Sequence, residues 1–206
     1  MRTAGSQNRS TPQKRRALLD GALEVFLRLG LTAATLDVLC RELSIGRSSF
    51  YHFFPSKVAL AVELFGEAIT RLNGHIGQAM QASQGAESGL KSLVRSYLEW
   101  FRDDPQLGAF VWRVMDSELL VEHIQPVRAQ QRAFIDGLFD WLAPFQESGQ
   151  VRTLSPAVTA ALVIGPARDF VRGAPSAQDY PEALRVLPEA AWQAMSGQQK
   201  RDQPAG

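Results

Sequence analysis

An all-α fold of about nine helices follows from three observations. Apolar residues recur at intervals of three and four along nearly the whole chain, and sustained period-two alternation is scarce. The gaps between apolar stretches carry Gly, Pro, Ser or Asp where helices begin and end. The 206 residues, 45% hydrophobic and 21% charged, suffice for one fair-sized domain or two small ones.

The elements read in order as follows. A first helix opens at Pro12 with Thr11 as its cap, buries Leu18, Ala22, Val25, Phe26 and Leu29, and ends at Gly30. Thr35 caps a short second helix, Leu36 to Leu43, that buries Leu36, Leu39 and Cys40. Ser44-Ile45-Gly46 is a tight turn. A third short helix, Arg47 to Phe54, is stopped by Pro55. Ser56 caps a long fourth helix whose inner face is Leu60, Leu64, Phe65, Ile69, Leu72, Ile76 and Met80. Gln84 to Ser88 reads as a polar loop.

Helices follow over Leu90 to Arg102, Gln106 to about Glu118, and about Glu122 to Phe145, the last with Ile124, Phe134, Ile135, Leu138 and Leu142 in phase. Glu147 to Gln150 is a loop. Ser155-Pro156 opens a helix to about Arg172, Gly173 to Ser176 breaks the chain, and a last helix runs from near Pro181 to Ser196, with Pro188 a place for a bend. The segment 198–206 reads as a disordered tail.

Charge is unevenly placed. Residues 1–60 hold nine Lys/Arg against four Asp/Glu, a net +5, and the remainder holds thirteen against seventeen, a net −4. A basic head on an acidic body suits a polyanionic partner for the head, although a solvated basic tail would give the same numbers. The basic N-terminus lacks the apolar core of a secretory signal, and no apolar run approaches the ~20 residues that span a bilayer. The single Cys40 makes no internal disulfide, so the expected compartment is the cytoplasm.

Leu36 to Phe54 has the form of a helix-turn-helix: short helix, three-residue turn, short helix. The second helix of such a motif enters the major groove with its N-terminal residues toward base edges. Here that helix is polar and basic at its start and aromatic afterwards. Phe50, with Phe53 or Phe54, would pack inward, and Arg47, Ser48, Ser49, Tyr51 and His52 would face out. By pattern alone the same segment also suits a buried connector.

The residues Ala22-Leu23-Glu24-Val25-Phe26, Gly30, Thr35, Leu39 and the string Phe50-Tyr51-His52-Phe53-Phe54-Pro55-Ser56-Lys57 carry a resemblance. Over Arg16 to Leu64 the chain resembles the N-terminal domain of the TetR family of transcriptional regulators. The resemblance implies residues 1–57 as N-terminal tail and DNA-binding domain, 58–197 as a helical ligand-binding and dimerisation domain, and a tail beyond. It implies phosphate contacts from Thr35, Tyr51, His52 and Lys57, and base contacts from Arg47 and Ser49 beside Ser48, arginine being able to read guanine bidentately. The turn departs from the usual Ala-Gly-Val-Ser. Ser44 stands where a glycine usually supplies a left-handed conformation, Gly46 where a serine usually caps the recognition helix, and Ser48 where glycine is common.

The resemblance also implies a small-molecule effector held among the middle helices. Candidate lining residues are Trp100, Phe110, Trp112, Arg113, Met115, Glu118, His123, Phe134 and Phe139, although aromatics at helical spacing serve equally as core. The last two helices would form a homodimer interface through Ala157, Ala161, Ile164, Val186 and Trp192, or pack as an ordinary internal pair. A two-fold dimer would read a near-palindromic double-stranded operator.

The expected function is therefore a dimeric, sequence-specific, ligand-responsive repressor released by a small, mostly apolar effector. The alternative is a helical adaptor binding an acidic protein through the basic head. An enzyme is the weaker rival: His52, His75 and His123 make no metal-spaced pair, and there is neither a Gly-rich phosphate loop nor a nucleophile elbow. No cofactor, metal or membrane partner is expected.

Overall fold

The computed structural model describes residues 11–197, so the extreme N-terminus and the tail expected at 198–206 lie outside the described residues. Within them are ten α-helices: α1 (Thr11–Ala33), α2 (Leu36–Glu42), α3 (Arg47–Phe53), α4 (Lys57–Gln81), α5 (Gly85–Asp103), α6 (Pro105–Met115), α7 (Gln125–Glu147), α8 (Pro156–Val163), α9 (Gly165–Arg172) and α10 (Tyr180–Met195). A 3-10 turn, Glu118–Leu120, lies between α6 and α7. The described residues contain no β-strand, only an isolated antiparallel bridge between Val151 and Ser196. None of these helices is long and apolar enough to cross a membrane.

Local chemistry accounts for most boundaries. Gly30 (φ 82°, ψ 161°) breaks the helical path of α1, so the first straight run ends where the glycine stands. Thr35 caps α2 by accepting from Val38 N, and Ser56 Oγ accepts from Ala59 N at 3.0 Å in the first turn of α4. Ser155 caps α8, with Pro156 in its first turn.

Four readings change, the first being Ile135, expected in the apolar phase of α7 but 38% exposed. Ala86 to Ser88 are helical rather than a loop, because Ala86, Gly89 and Leu90 are buried and packing outweighs weak helix propensity, while Gly85 enters the helix at φ 86°, a left-handed value that glycine supplies without strain. The helix expected over Ser155 to Arg172 is two helices parted at Ile164, and Pro166 lies in the first turn of the second, where its missing N–H costs nothing. Leu29, placed on the buried face of α1, is 37% exposed, being one residue before the break at Gly30.

The chain divides into two compact units. The first takes in residues up to Glu67 together with Ala109–Gln125, and the second Ala68–Gly108 together with the chain from Pro126 onward. In the first, Leu19, Phe26, Leu39, Phe50, Phe54 and Phe110 are almost completely buried. In the second, α5 lies against α9 and α10, and α10 against α8. A hydrogen bond from Gln130 Nε2 to Thr70 Oγ1 (3.2 Å) links α7 to the second half of α4.

Candidate nucleic-acid interface

The turn between α2 and α3 sets the site. Ile45 N donates to Cys40 O at 2.9 Å, and Ser44 takes φ 51°, the left-handed value that the turn requires. Gly46 caps α3 with φ −71° and ψ 149° and supplies no side-chain oxygen. The hydroxyl oxygen of Thr35 is engaged with Val38 N (3.3 Å), and its backbone N–H is already donated to Ala33 O (2.8 Å). Its hydroxyl proton, rather than its amide, is thus the donor left for a partner.

From this base α3 presents two opposite faces. Phe50 is fully buried and Phe54 nearly so, with ring centroids 5.9 Å apart. Arg47, Ser48, Ser49, Tyr51 and His52 are all exposed, and Phe53 is half-buried. The segment is thus not a buried connector. Tyr51, 53% exposed, rests its ring edge-on against Phe50 at 6.0 Å, which fixes the ring while leaving the hydroxyl outward.

Acids within the first unit match much of its positive charge. Arg15 forms a two-pronged pair with Glu63, with its guanidinium 4.8 Å over the Phe54 ring. Arg16 bridges Asp20 and Glu67, and Arg28 pairs with Glu42. Arg47 pairs with Asp37, a partner absent from the sequence reading, and the carboxylate holds the guanidinium pKa above its ordinary value. Lys57 Nζ donates to Leu31 O (2.9 Å) and Thr32 O (3.2 Å), and burial lowers its pKa. That ammonium therefore ties the start of α4 to the end of α1. Cys40 is buried, and desolvation raises its thiol pKa, as for an inert core cysteine.

A fully buried Phe50 beneath an exposed Arg-Ser-Ser start, carried on a helix-turn-helix, matches a known pattern in sequence as well as shape. Residues 18–64 match the family of bacterial regulatory proteins, tetR family. Residues 18–64 thus carry a TetR-type DNA-binding helix-turn-helix. Over 158 residues it is 23% identical to the HTH-type transcriptional regulator RutR of Escherichia coli K12, covering 76% of this chain and 73% of that protein. Its fold is shared with a TetR family transcription regulator from Marinobacter aquaeolei VT8 (TM-score 0.73, 14% identity, covering 90% of this chain and 97% of that one). A TetR-type regulator from Shewanella sp. PV-4 is similar too (TM-score 0.70, 21% identity, 89% of this chain and 98% of that one).

The residues expected around an effector fall in both compact units. Phe110, Trp112, Arg113, Met115, Glu118 and His123 belong to the first compact unit, and Trp100, Phe134 and Phe139 to the second. Phe110 stacks on Phe26, and Arg113 Nη1 donates to the Phe26 carbonyl, so both are part of the packing of the DNA-binding unit. Met115, Glu118 and His123 are exposed. Trp100 is buried edge-on against Phe101, and Trp112, Phe134 and Phe139 are half-buried.

Sequence reasoning missed other polar groups. Asn73 Oδ1 and His75 Nε2 of α4, Gln131 Oε1 of α7 and Thr159 Oγ1 of α8 are enclosed without a protein hydrogen-bond partner. The signal for Asn73 was available, since it falls in the apolar register of Ile69, Leu72 and Ile76. Among the described residues no group of three or more His, Cys, Asp or Glu could hold a metal. Of the expected dimer residues, Ala157, Ala161 and Val186 are exposed, and Ile164 and Trp192 half-buried.

Proposed function

We propose that this TetR-family regulator is a dimeric repressor that reads a near-palindromic operator through α3 and is released by a small effector. The observation that carries the reading is the division of α3. Its inward Phe50 anchors the helix, and its Arg47, Ser48, Ser49, Tyr51 and His52 are free of the core. On this reading Arg47 and Ser49, beside Ser48, meet base edges. Tyr51, His52 and the Thr35 hydroxyl meet phosphates, and Lys57 does so by exchanging a carbonyl for a phosphate oxygen.

The exposed small-residue face of α8, where Ala157 and Ala161 lie beside the 47% exposed Val158, supports a dimer built on α8 and α10. Two-fold symmetry would then set two α3 helices about one DNA turn, ~34 Å, apart. The enclosed, unpartnered Asn73 Oδ1, His75 Nε2 and Gln131 Oε1 support a few hydrogen-bonding groups on an otherwise mostly apolar effector, because satisfying buried polar atoms repays their desolvation. Effector coupling of ~1–3 kcal/mol would lower operator affinity roughly 5- to 150-fold.

The test is selection of bound DNA from a random pool, with and without Arg47→Ala or Tyr51→Ala. The wild type should enrich one near-palindromic sequence and bind it with a steep salt dependence. Each variant should bind that sequence more weakly while its sedimentation still reports a dimer. Unchanged affinity in both variants would remove α3 from the groove. Failure of the wild type to enrich any sequence would favour an adaptor that uses the basic head on an acidic protein.

A further inference from the structure

Arg47 is the first residue of the recognition helix, and Asp37 is the second residue of α2. The turn at Ser44 to Gly46 brings the two into contact. Arg47 Nε donates to Asp37 Oδ1 at 2.7 Å, and Nη2 donates to the same oxygen. The side chains remain 64% and 65% exposed, and a pair so open to water adds little to folding stability. Its consequence lies in where it holds the guanidinium.

A guanidinium offers five donors in a planar fork. Asp37 occupies the side bearing Nε and Nη2. The end bearing Nη1 and the outer hydrogen of Nη2 stays open, and two parallel donors of that kind match O6 and N7 of a guanine. An arginine without such a partner at the start of a helix would serve any nearby phosphate through charge alone. The Asp37 carboxylate counters that choice in two ways: it limits the rotamers of Arg47, and its own charge repels a phosphate at the same spot.

We propose that Asp37 is a positioning residue for sequence specificity, holding Arg47 so that its open edge meets a base pair rather than the phosphate backbone. The inference rests on the placement of α3 in the groove proposed above. It adds a residue of α2 to the reading of DNA, although that residue carries the wrong charge to bind DNA itself.

The experiment compares the full-length wild type with Asp37→Ala, Arg47→Ala and the double variant, each on the enriched operator and on scrambled DNA of equal length. Thermal midpoints for Asp37→Ala close to the wild type establish that α2 remains folded. Asp37→Ala should lower the ratio of operator to scrambled affinity by about tenfold, the worth of one lost base contact. Its affinity for scrambled DNA should hold or rise. In repeat selections Asp37→Ala and Arg47→Ala should lose preference at the same base pair, and Asp37→Ala should change nothing further in the Arg47→Ala background. The inference is overturned if Asp37→Ala keeps the wild-type preference at every base pair, or lowers the ratio equally when Arg47 is absent. If the wild type itself enriches no sequence, the groove placement fails first and carries this inference with it.

Discussion

Phe110 of α6 stacks on Phe26 of α1, with ring centroids 5.9 Å apart and planes 22° from parallel. Three residues along, Arg113 Nη1 donates to the carbonyl of the same Phe26 at 2.9 Å. Residues 109–125 thereby fold as part of the DNA-binding unit, although they lie far along the chain from it. The two contacts differ in weight. Phe110 is fully buried, so Phe110→Ala should cost about 3–5 kcal/mol by loss of burial and creation of a cavity. Arg113 is exposed and contributes one hydrogen bond, so Arg113→Ala should cost about 1 kcal/mol. Urea unfolding of both variants checks the ranking. A cost below about 1 kcal/mol for Phe110→Ala would mean that the stack does not hold this unit together.

The α2–α3 turn is built from two unfavourable choices that substitution can reverse. Ser44 sits at φ 51°, where a residue with a Cβ loses ~1–2 kcal/mol, and a glycine would recover that less its own entropy cost of roughly 0.5–1 kcal/mol. Gly46 has φ −71°, and a Cβ there meets nothing within 4 Å, so serine fits and adds a cap worth a few tenths of a kcal/mol. Ser44→Gly and Gly46→Ser together should raise stability by about 1 kcal/mol and the melting midpoint by a few degrees. A fall in the midpoint for Ser44→Gly would assign the Ser44 side chain a contact that offsets its strain.

What was legible in the sequence was local. Ser44, Gly46, Phe50 and the Phe-Pro-Ser-Lys run declare their backbone roles within a few positions of one another, and the structure places the turn and the inward Phe50 accordingly. The pairing of Arg47 with Asp37 joins two helices across that turn, and periodicity carries no sign of which exposed acid a guanidinium will choose. Arg113 and Phe26 are 87 positions apart, a separation at which apolar register alone names no partner. For that reason nothing in the sequence marked Phe110 and Arg113 as both meeting Phe26. The helical start of α5 was hidden by Ser88 and Gly89, whose weak propensity is overridden by packing, and by Gly85, which enters the helix at a left-handed φ of 86°.

Tyr97 of α5 gives the protein an alkaline limit. Burial pushes its pKa well above the ordinary tyrosine value, against a smaller opposing pull from Arg168. The folded state thus keeps the proton at a pH where the unfolded chain loses it. Below pH 10 both states hold the proton and the group is neutral in its effect. Above pH 10 the unfolded chain binds fewer protons than the native one, so stability falls with rising pH, at up to about 1.4 kcal/mol per unit from this group. Denaturant titrations between pH 9 and 11.5 should show a steeper decline for wild type than for Tyr97→Phe. Equal slopes would mean that Tyr97 ionises freely in the folded protein.

Gly89 on α5 sets two physical effects against each other. In a helix interior, alanine is favoured over glycine by about 1 kcal/mol. Here the added Cβ would lie far inside contact distance of Cζ2 and Cη2 of Trp141. The indole is a rigid ring that also packs on Phe145 at 5.1 Å, so it cannot yield by a simple torsion. Overpacking of this sort costs roughly 1–3 kcal/mol, which outweighs the propensity gain. Gly89→Ala should therefore destabilise the protein by about 1 kcal/mol in urea unfolding. The same change made in a Trp141→Leu background, where the ring is gone, should instead stabilise it by about 1 kcal/mol, giving a coupling of about 2 kcal/mol in the double-mutant cycle. If Gly89→Ala stabilises both backgrounds equally, Trp141 shifts without cost and the close approach of α5 and α7 is not fixed by that glycine.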